Sequence, residues 1–209
     1  MGRRPTQRPA SPPPGTTWPL PILSVDTGTL LYRLTRTQHP DPAFFGRLRT
    51  YRFDAPDRSY GVCYLGATLA CCLLEVLDLQ RATATARRFV ADAQLGAYYA
   101  AVATATRPLR LAYLADNGLA QLGIDQRHTA GDDYDLSGAW SAAIHAHTAW
   151  VDGIFYATRH HNGLYAVALF ERAASAVAFR RWGVLGDRSV ADLWVETDAA
   201  FARFHIDIL

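Results

Sequence analysis

Apolar residues along this chain fall into short runs broken by turns rather than into long helical stripes. Residues 30–34 (LLYRL), 62–65 (VCYL), 108–114 (PLRLAYL) and 164–170 (LYAVALF) are rich in branched and aromatic side chains, and they predict strands. Weaker strand patterns run over 51–53, 88–90, 95–104 and 152–156. From position 66 or 67 to 79 the spacing changes. Leu69, Leu73, Val76 and Leu77 recur at helical intervals, and Cys71 and Glu75, four apart, share an adjoining face. A short helix is predicted over 115–122, closed by Gly123, and a polar loop over 124–136. Asp135 or Ser137 is expected to cap a helix over 139–149. Asp187 or Ser189 is expected to open a last helix through 204. Strands outnumber helices and mostly follow one another directly. The fold class expected is therefore α+β, a single domain with a central mixed or antiparallel sheet flanked by helices.

Residues 1–21 break the pattern. They hold most of the eleven prolines, have no periodicity and carry few apolar groups. They are expected to be an extended, disordered tail, with the ordered domain spanning 22–209. Within 209 residues there is room for a core that needs no staples. The three cysteines, Cys63, Cys71 and Cys72, show no framework spacing and suit buried positions in a reducing compartment. No apolar run reaches membrane-spanning length, and Arg3 and Arg4 are not followed by the apolar stretch of a secretory leader. A cytoplasmic protein with no membrane role is expected. The net charge of +2 gives no basis for nucleic-acid binding.

The chain has only three glutamates, Glu75, Glu171 and Glu196. Glu75 stands inside ACCLLEVL, where every neighbour in sequence is apolar, so its charge must be paired, neutralised or used. Arg33, Arg52, Tyr64, Glu75 and Thr158 together suit one chemistry. Arginine forks grip phosphate or pyrophosphate, a tyrosine ring stacks on a planar heterocycle, and a carboxylate steadies an oxocarbenium ion as a glycosidic bond breaks. Each also has a plainer explanation: a carboxylate paired with a core arginine, a surface arginine, a core tyrosine or a loop hydroxyl. Arg159, beside Thr158, is a further candidate for phosphate or ribose contact. His145 and His147, two apart, point in different directions on a helix and are poorly posed for a metal; none is expected. His160 and His161 sit in the loop after Thr158.

Order and spacing add a further reading. Tyr32–Arg33 is followed about twenty residues on by Arg52–Phe53, then by Tyr64, then by Glu75 eleven residues later within LACCLLEVL. Near the end, DGIFYAT, ending at Thr158, precedes LYAVALF. In these landmarks the chain resembles the RES domain family, named for its arginine, glutamate and serine, over about residues 30–170. It departs at two places. The family's serine stands here as Thr158, and its Arg-Trp-Asn phrase stands as Arg52-Phe53-Asp54.

The resemblance implies a fold akin to ADP-ribosyltransferases, with NAD as substrate rather than as a cofactor. It implies a bacterial toxin that cleaves the nicotinamide–ribose bond by hydrolysis or phosphorolysis and so depletes NAD. Protein ADP-ribosylation and a catalytically inactive partner-binding module stay open as alternatives. An Xre-type antitoxin covering the active site and a possible homodimer are implied as partners. The implied catalytic residues are Glu75, Arg52 and Thr158. Substrate binding would fall to Arg33, Arg52, Tyr64 and Arg159.

Overall fold

Strand β3 (Val62–Gly66) lies inside a mixed eight-stranded sheet of order β1-β7-β8-β9-β3-β2-β6-β10. The other members are β1 (Ile22–Val25), β2 (Leu30–Arg36), β6 (Tyr98–Ala105), β7 (Leu109–Leu114), β8 (Gly153–Ala157), β9 (Tyr165–Phe170) and β10 (Val177–Val184). A small second sheet joins β4 (Gln80–Arg81), β5 (Arg88–Val90) and β11 (Ile206–Ile208). The helices are α1 (Leu69–Val76), α2 (Asp92–Gly96), α3 (Asp116–Gln121), α4 (Arg127–Ala130), α5 (Tyr134–His145) and α6 (Ala191–Arg203), with a 3-10 turn over Glu171–Ala176. The computed structural model describes residues 10–77, 79–81, 88–159, 161 and 163–209. The α+β class with a mixed sheet and flanking helices is the architecture expected. Among the described residues no helix is long and apolar enough to cross a membrane.

Within the large sheet only β7 and β8 run parallel. A parallel pair needs a crossover, and here it contains α3, α4 and α5. Alternation along the strands divides the core in two. Tyr32, Leu34, Val62, Tyr64, Ile154 and Tyr156 face the side covered by α1, α5 and α6. Leu31, Cys63, Leu65, Leu111 and Val167 face the opposite side, with Phe45 and the 3-10 turn over them. Strands β2 and β3 share a single register pair, Tyr32 with Gly66, and then part.

Helix α1 starts where Thr68 accepts a hydrogen bond from the Cys71 amide at 3.2 Å, an N-cap of the usual kind. The turn into it is tight. A Cβ on Gly66 would come within 2.6 Å of the Cys72 sulfur and 2.8 Å of the Thr68 carbonyl. The helix ends at Val76, short of the predicted limit, because Leu77 turns to extended backbone. Other boundaries also shift. The 95–104 run divides into α2 and β6 at residues 96–98, and α5 is capped by Asp133 rather than Asp135 or Ser137. Asp187 instead accepts from Ser189, and the last helix opens at Ala191.

Two expectations are corrected outright. Residues 51–53 form no strand; they belong to a turn in which the Asp54 amide bonds the Tyr51 carbonyl. Residues 10–21 are extended but are not a solvated tail. Trp18 is buried against Trp140 and His147, and the carbonyls of Thr16 and Trp18 accept hydrogen bonds from Thr148 and His147, just after α5. The single tryptophan outweighs the polar, proline-rich composition around it. Residues 1–9 lie outside the described residues.

Candidate active site

Of the side chains singled out by sequence, Tyr64 lies on β3, Glu75 on α1, Thr158 and Arg159 just after β8, Arg52 in the 51–54 turn and Arg33 on β2. Tyr64 points from β3 towards the helical face. Its hydroxyl donates to Asp54 Oδ1 at 2.9 Å and accepts from the Phe53 amide at 2.9 Å. The Tyr51 ring lies tilted against it at 5.4 Å. Burial first, and then the Asp54 charge, push the Tyr64 phenol well above its ordinary range, so it stays a neutral donor.

Asp54 stands where an asparagine is usual in RES domains, and its carboxylate is spoken for. Oδ2 accepts from the Thr50 and Tyr51 amides, both at 2.9 Å, and Oδ1 takes the Tyr64 hydroxyl. This acid closes a turn and anchors a tyrosine.

Arg52 leaves the same turn. Its Nη1 donates to the carbonyls of Thr129 at 2.6 Å and Gly131 at 3.0 Å, and its guanidinium lies 5.3 Å from the Tyr134 ring centre. Its Nε and Nη2 make no hydrogen bond among the described residues. Arg159 pairs with Asp132 at 2.6 Å, so the two arginines converge on one loop between α4 and α5. Arg49 pairs with Asp135 nearby. A hollow of about 120 Å³ lies between Tyr51, Asp54, Tyr134 and Asp135, smaller than a dinucleotide site and not lined by Glu75.

Glu75 is exposed on α1, and among the described residues its carboxylate has no hydrogen bond or ion pair. It does act on a buried neighbour. Tyr156, near the end of β8, is 8% exposed and packs edge-on against Phe53 at 4.8 Å. Burial raises its phenol, the negative charge of Glu75 raises it further, and Arg52 opposes that. The two charges thus shift this one phenol in opposite senses. That hydroxyl makes no hydrogen bond among the described residues. Sequence reasoning passes over Tyr156. The signal that could have found it is its place two residues before Thr158 in DGIFYAT.

Two candidates do not point where expected. Arg33 lies between Tyr32 and Leu34 on β2, so strand alternation turns it to the opposite face from Tyr64. There its Nη1 donates to the carbonyls of Pro42 at 2.5 Å and Phe44 at 2.9 Å and to the Cys63 sulfur at 3.0 Å. It fastens a loop and is not paired with Arg52 across a common site. Thr158 is buried, and its hydroxyl donates to the His161 carbonyl at 3.1 Å while its amide bonds Leu164 O. It closes the turn after β8. The His161 ring packs on Phe204, and His160 lies outside the described residues.

The cysteines are all buried and free. Burial lifts Cys63 to about 11 and Cys72 to about 12, with Arg33 opposing in both. Among the described residues no cluster of histidine, cysteine and carboxylate side chains could hold a metal ion.

Comparison with known proteins bears on the family and the fold. No curated protein matches the chain. A solved structure, the toxin–antitoxin complex MbcT–MbcA of M. tuberculosis, contains a chain of similar fold. The TM-score is 0.59 at 19% identity, covering 82% of this chain and 92% of that one. The family model of the RES domain matches residues 30–194, a span that contains Arg52, Tyr64, Glu75, Tyr156 and Thr158, and the chain belongs to the RES domain family.

Proposed function

We propose that this RES domain protein is an NAD-consuming enzyme that breaks the bond between nicotinamide and ribose, and that it is the toxin of a toxin–antitoxin pair. The observation that carries the reading is the buried Tyr156 hydroxyl, which has no hydrogen-bond partner among the described residues and whose phenol the Glu75 charge raises and the Arg52 charge lowers. Buried polar groups are normally satisfied within the protein, so a buried hydroxyl left open points to a ligand.

In this reading the free Nε and Nη2 of Arg52 bind the pyrophosphate, with Arg159 beside them after exchanging Asp132 for substrate. Tyr51 and Tyr64 offer ring faces to a planar group. Glu75 accepts hydrogen bonds from the ribose hydroxyls. As the C1′–N1 bond breaks, the electron pair leaves with nicotinamide, and the carboxylate stabilises the cation that forms. Water or phosphate then attacks C1′, and the attacking group's proton is released to solvent. Charge stabilisation of this kind supplies roughly 3 kcal/mol per key group. Tyr156 donates to the ribose or to Glu75 itself. Thr158 holds the turn that carries Arg159, and Arg33 holds the 42–44 loop. NAD is the substrate, and the mechanism uses no separate cofactor. An enzyme of this kind works in the cytoplasm, where an Xre-type antitoxin would restrain it by covering the site; a homodimer is compatible with it.

The test is a product assay. Purified protein is incubated with NAD, with and without phosphate and with cell lysate. Nicotinamide with free ADP-ribose identifies hydrolysis, its phosphate ester identifies phosphorolysis, and label on protein identifies ADP-ribosyl transfer. No loss of NAD, together with a stable complex with the antitoxin, would leave a partner-binding module and end the enzyme reading.

A further inference from the structure

The N-terminal segment precedes the span matched by the family model, yet it is bonded to the part of the fold that holds Arg52. The Ala10 carbonyl accepts from Trp140 Nε1 at 3.0 Å, and His128 Nε2 faces it at 3.0 Å, a donor when the ring proton is on that nitrogen. His128 is 2% exposed, and its other ring nitrogen lies 3.0 Å from the Asp125 carbonyl. Thr129, the next residue, gives its carbonyl to Arg52, and so does Gly131. An unbroken chain of contacts therefore runs from Ala10 through His128 to the Arg52 guanidinium.

Helix α4 needs this support. It has four residues, too few to hold their shape alone, and the one local side chain at its start is Asp125, which accepts from the Arg127 amide at 2.9 Å. The segment is pinned again further on. The Thr16 carbonyl accepts from the Thr148 amide at 2.9 Å and its hydroxyl at 3.0 Å. The Trp18 carbonyl lies 2.7 Å from His147 Nε2, and the Trp18 ring packs edge-on against Trp140 and His147.

We infer that residues 10–18 form a strap that positions Arg52: by fixing α4 they fix the Thr129 and Gly131 carbonyls that aim the guanidinium at the dinucleotide. The strap touches no reacting atom, so these are positioning residues. The inference rests on the proposed phosphate-binding role of Arg52, and its test separates the two.

Two variants of the full chain are compared with the parent. One lacks residues 2–14, which removes the Ala10 carbonyl but keeps the Thr16 and Trp18 anchors. The other is Trp140→Phe, which keeps an aromatic ring but removes the N–H together with the five-membered ring that carries it. Amide hydrogen exchange over residues 127–131 should quicken about tenfold in the deletion and about threefold in Trp140→Phe. The dissociation constant for ADP-ribose should rise roughly fivefold in the deletion, and the deletion should add nothing in an Arg52→Ala background. Unchanged exchange over 127–131 in both variants overturns the strap. So does an equal loss of ADP-ribose affinity with and without Arg52. Should the parent neither bind ADP-ribose nor consume NAD, the proposed function falls, and the exchange rates still decide whether the segment fixes α4.

Discussion

Asp54, bonded to Tyr64, and Glu75, whose charge raises the Tyr156 phenol, are two carboxylates with opposite fates. Asp54 is buried and accepts three hydrogen bonds, two from amides and one from Tyr64. Glu75 is exposed and, among the described residues, accepts none. A carboxylate with its acceptor sites filled by its own protein is a structural part, and replacing it costs stability. One left open in solvent has capacity for a substrate, and replacing it costs activity. The departure of Asp54 from the usual asparagine falls on the structural member of the pair.

The sharpest way to break this contrast is Glu75→Gln. NAD consumption should fall by roughly 100- to 1000-fold. The unfolding free energy should stay within about 0.5 kcal/mol, because no hydrogen bond or ion pair among the described residues is lost. Turnover at the parental rate would remove Glu75 from the mechanism. Next comes Asp54→Ala, which strands the Thr50 and Tyr51 amides and the Tyr64 hydroxyl. It should cost about 2–4 kcal/mol in urea unfolding. A neutral result would mean that the turn is held by other groups. Tyr156→Phe removes a hydroxyl with no partner among the described residues. Stability should hold while kcat/KM for NAD drops about five- to tenfold; equal kinetics would show that the hydroxyl never meets substrate.

The smallest effect expected is a pH dependence away from both carboxylates. His145 stacks on Tyr60 at 3.8 Å, and burial, then the charge of Arg172, hold its pKa down from 6.5 to about 4. Between these values the unfolded chain binds the proton more readily than the folded one. This contribution to stability is therefore complete above pH 6.5 and is lost as pH falls towards 4. Urea midpoints at pH 7.5 and 5 should differ, and His145→Phe should reduce the difference.

The helix carrying Glu75, the strands carrying Tyr64 and Tyr156, and the α+β class are all legible in the spacing of residues, because apolar periodicity reports burial directly. What spacing leaves hidden depends on contacts between distant residues. Strand alternation separates Arg33 from its sequence neighbours, but which face of β2 meets the helices is fixed only by the whole sheet. The exposure of Glu75 has the same cause: an apolar run reads as buried, while an eight-residue helix keeps one edge in solvent. Strand β10, VAFRRWGV, escapes a reading by pattern because it is an edge strand with paired arginines, a common way of blunting an open edge. Helix α4 reads as part of a polar loop because the groups that steady it come from the other end of the chain.

The three thiols carry a practical consequence. Each is shut inside the fold and held protonated, so a thiol-reactive dye finds nothing to attack until the molecule opens. Cys63 lies against Arg33 on one side of the sheet, while Cys71 and Cys72 line α1 on the other. Labelling speed at each would serve as a clock for the opening of its own layer, and the two clocks need not run together.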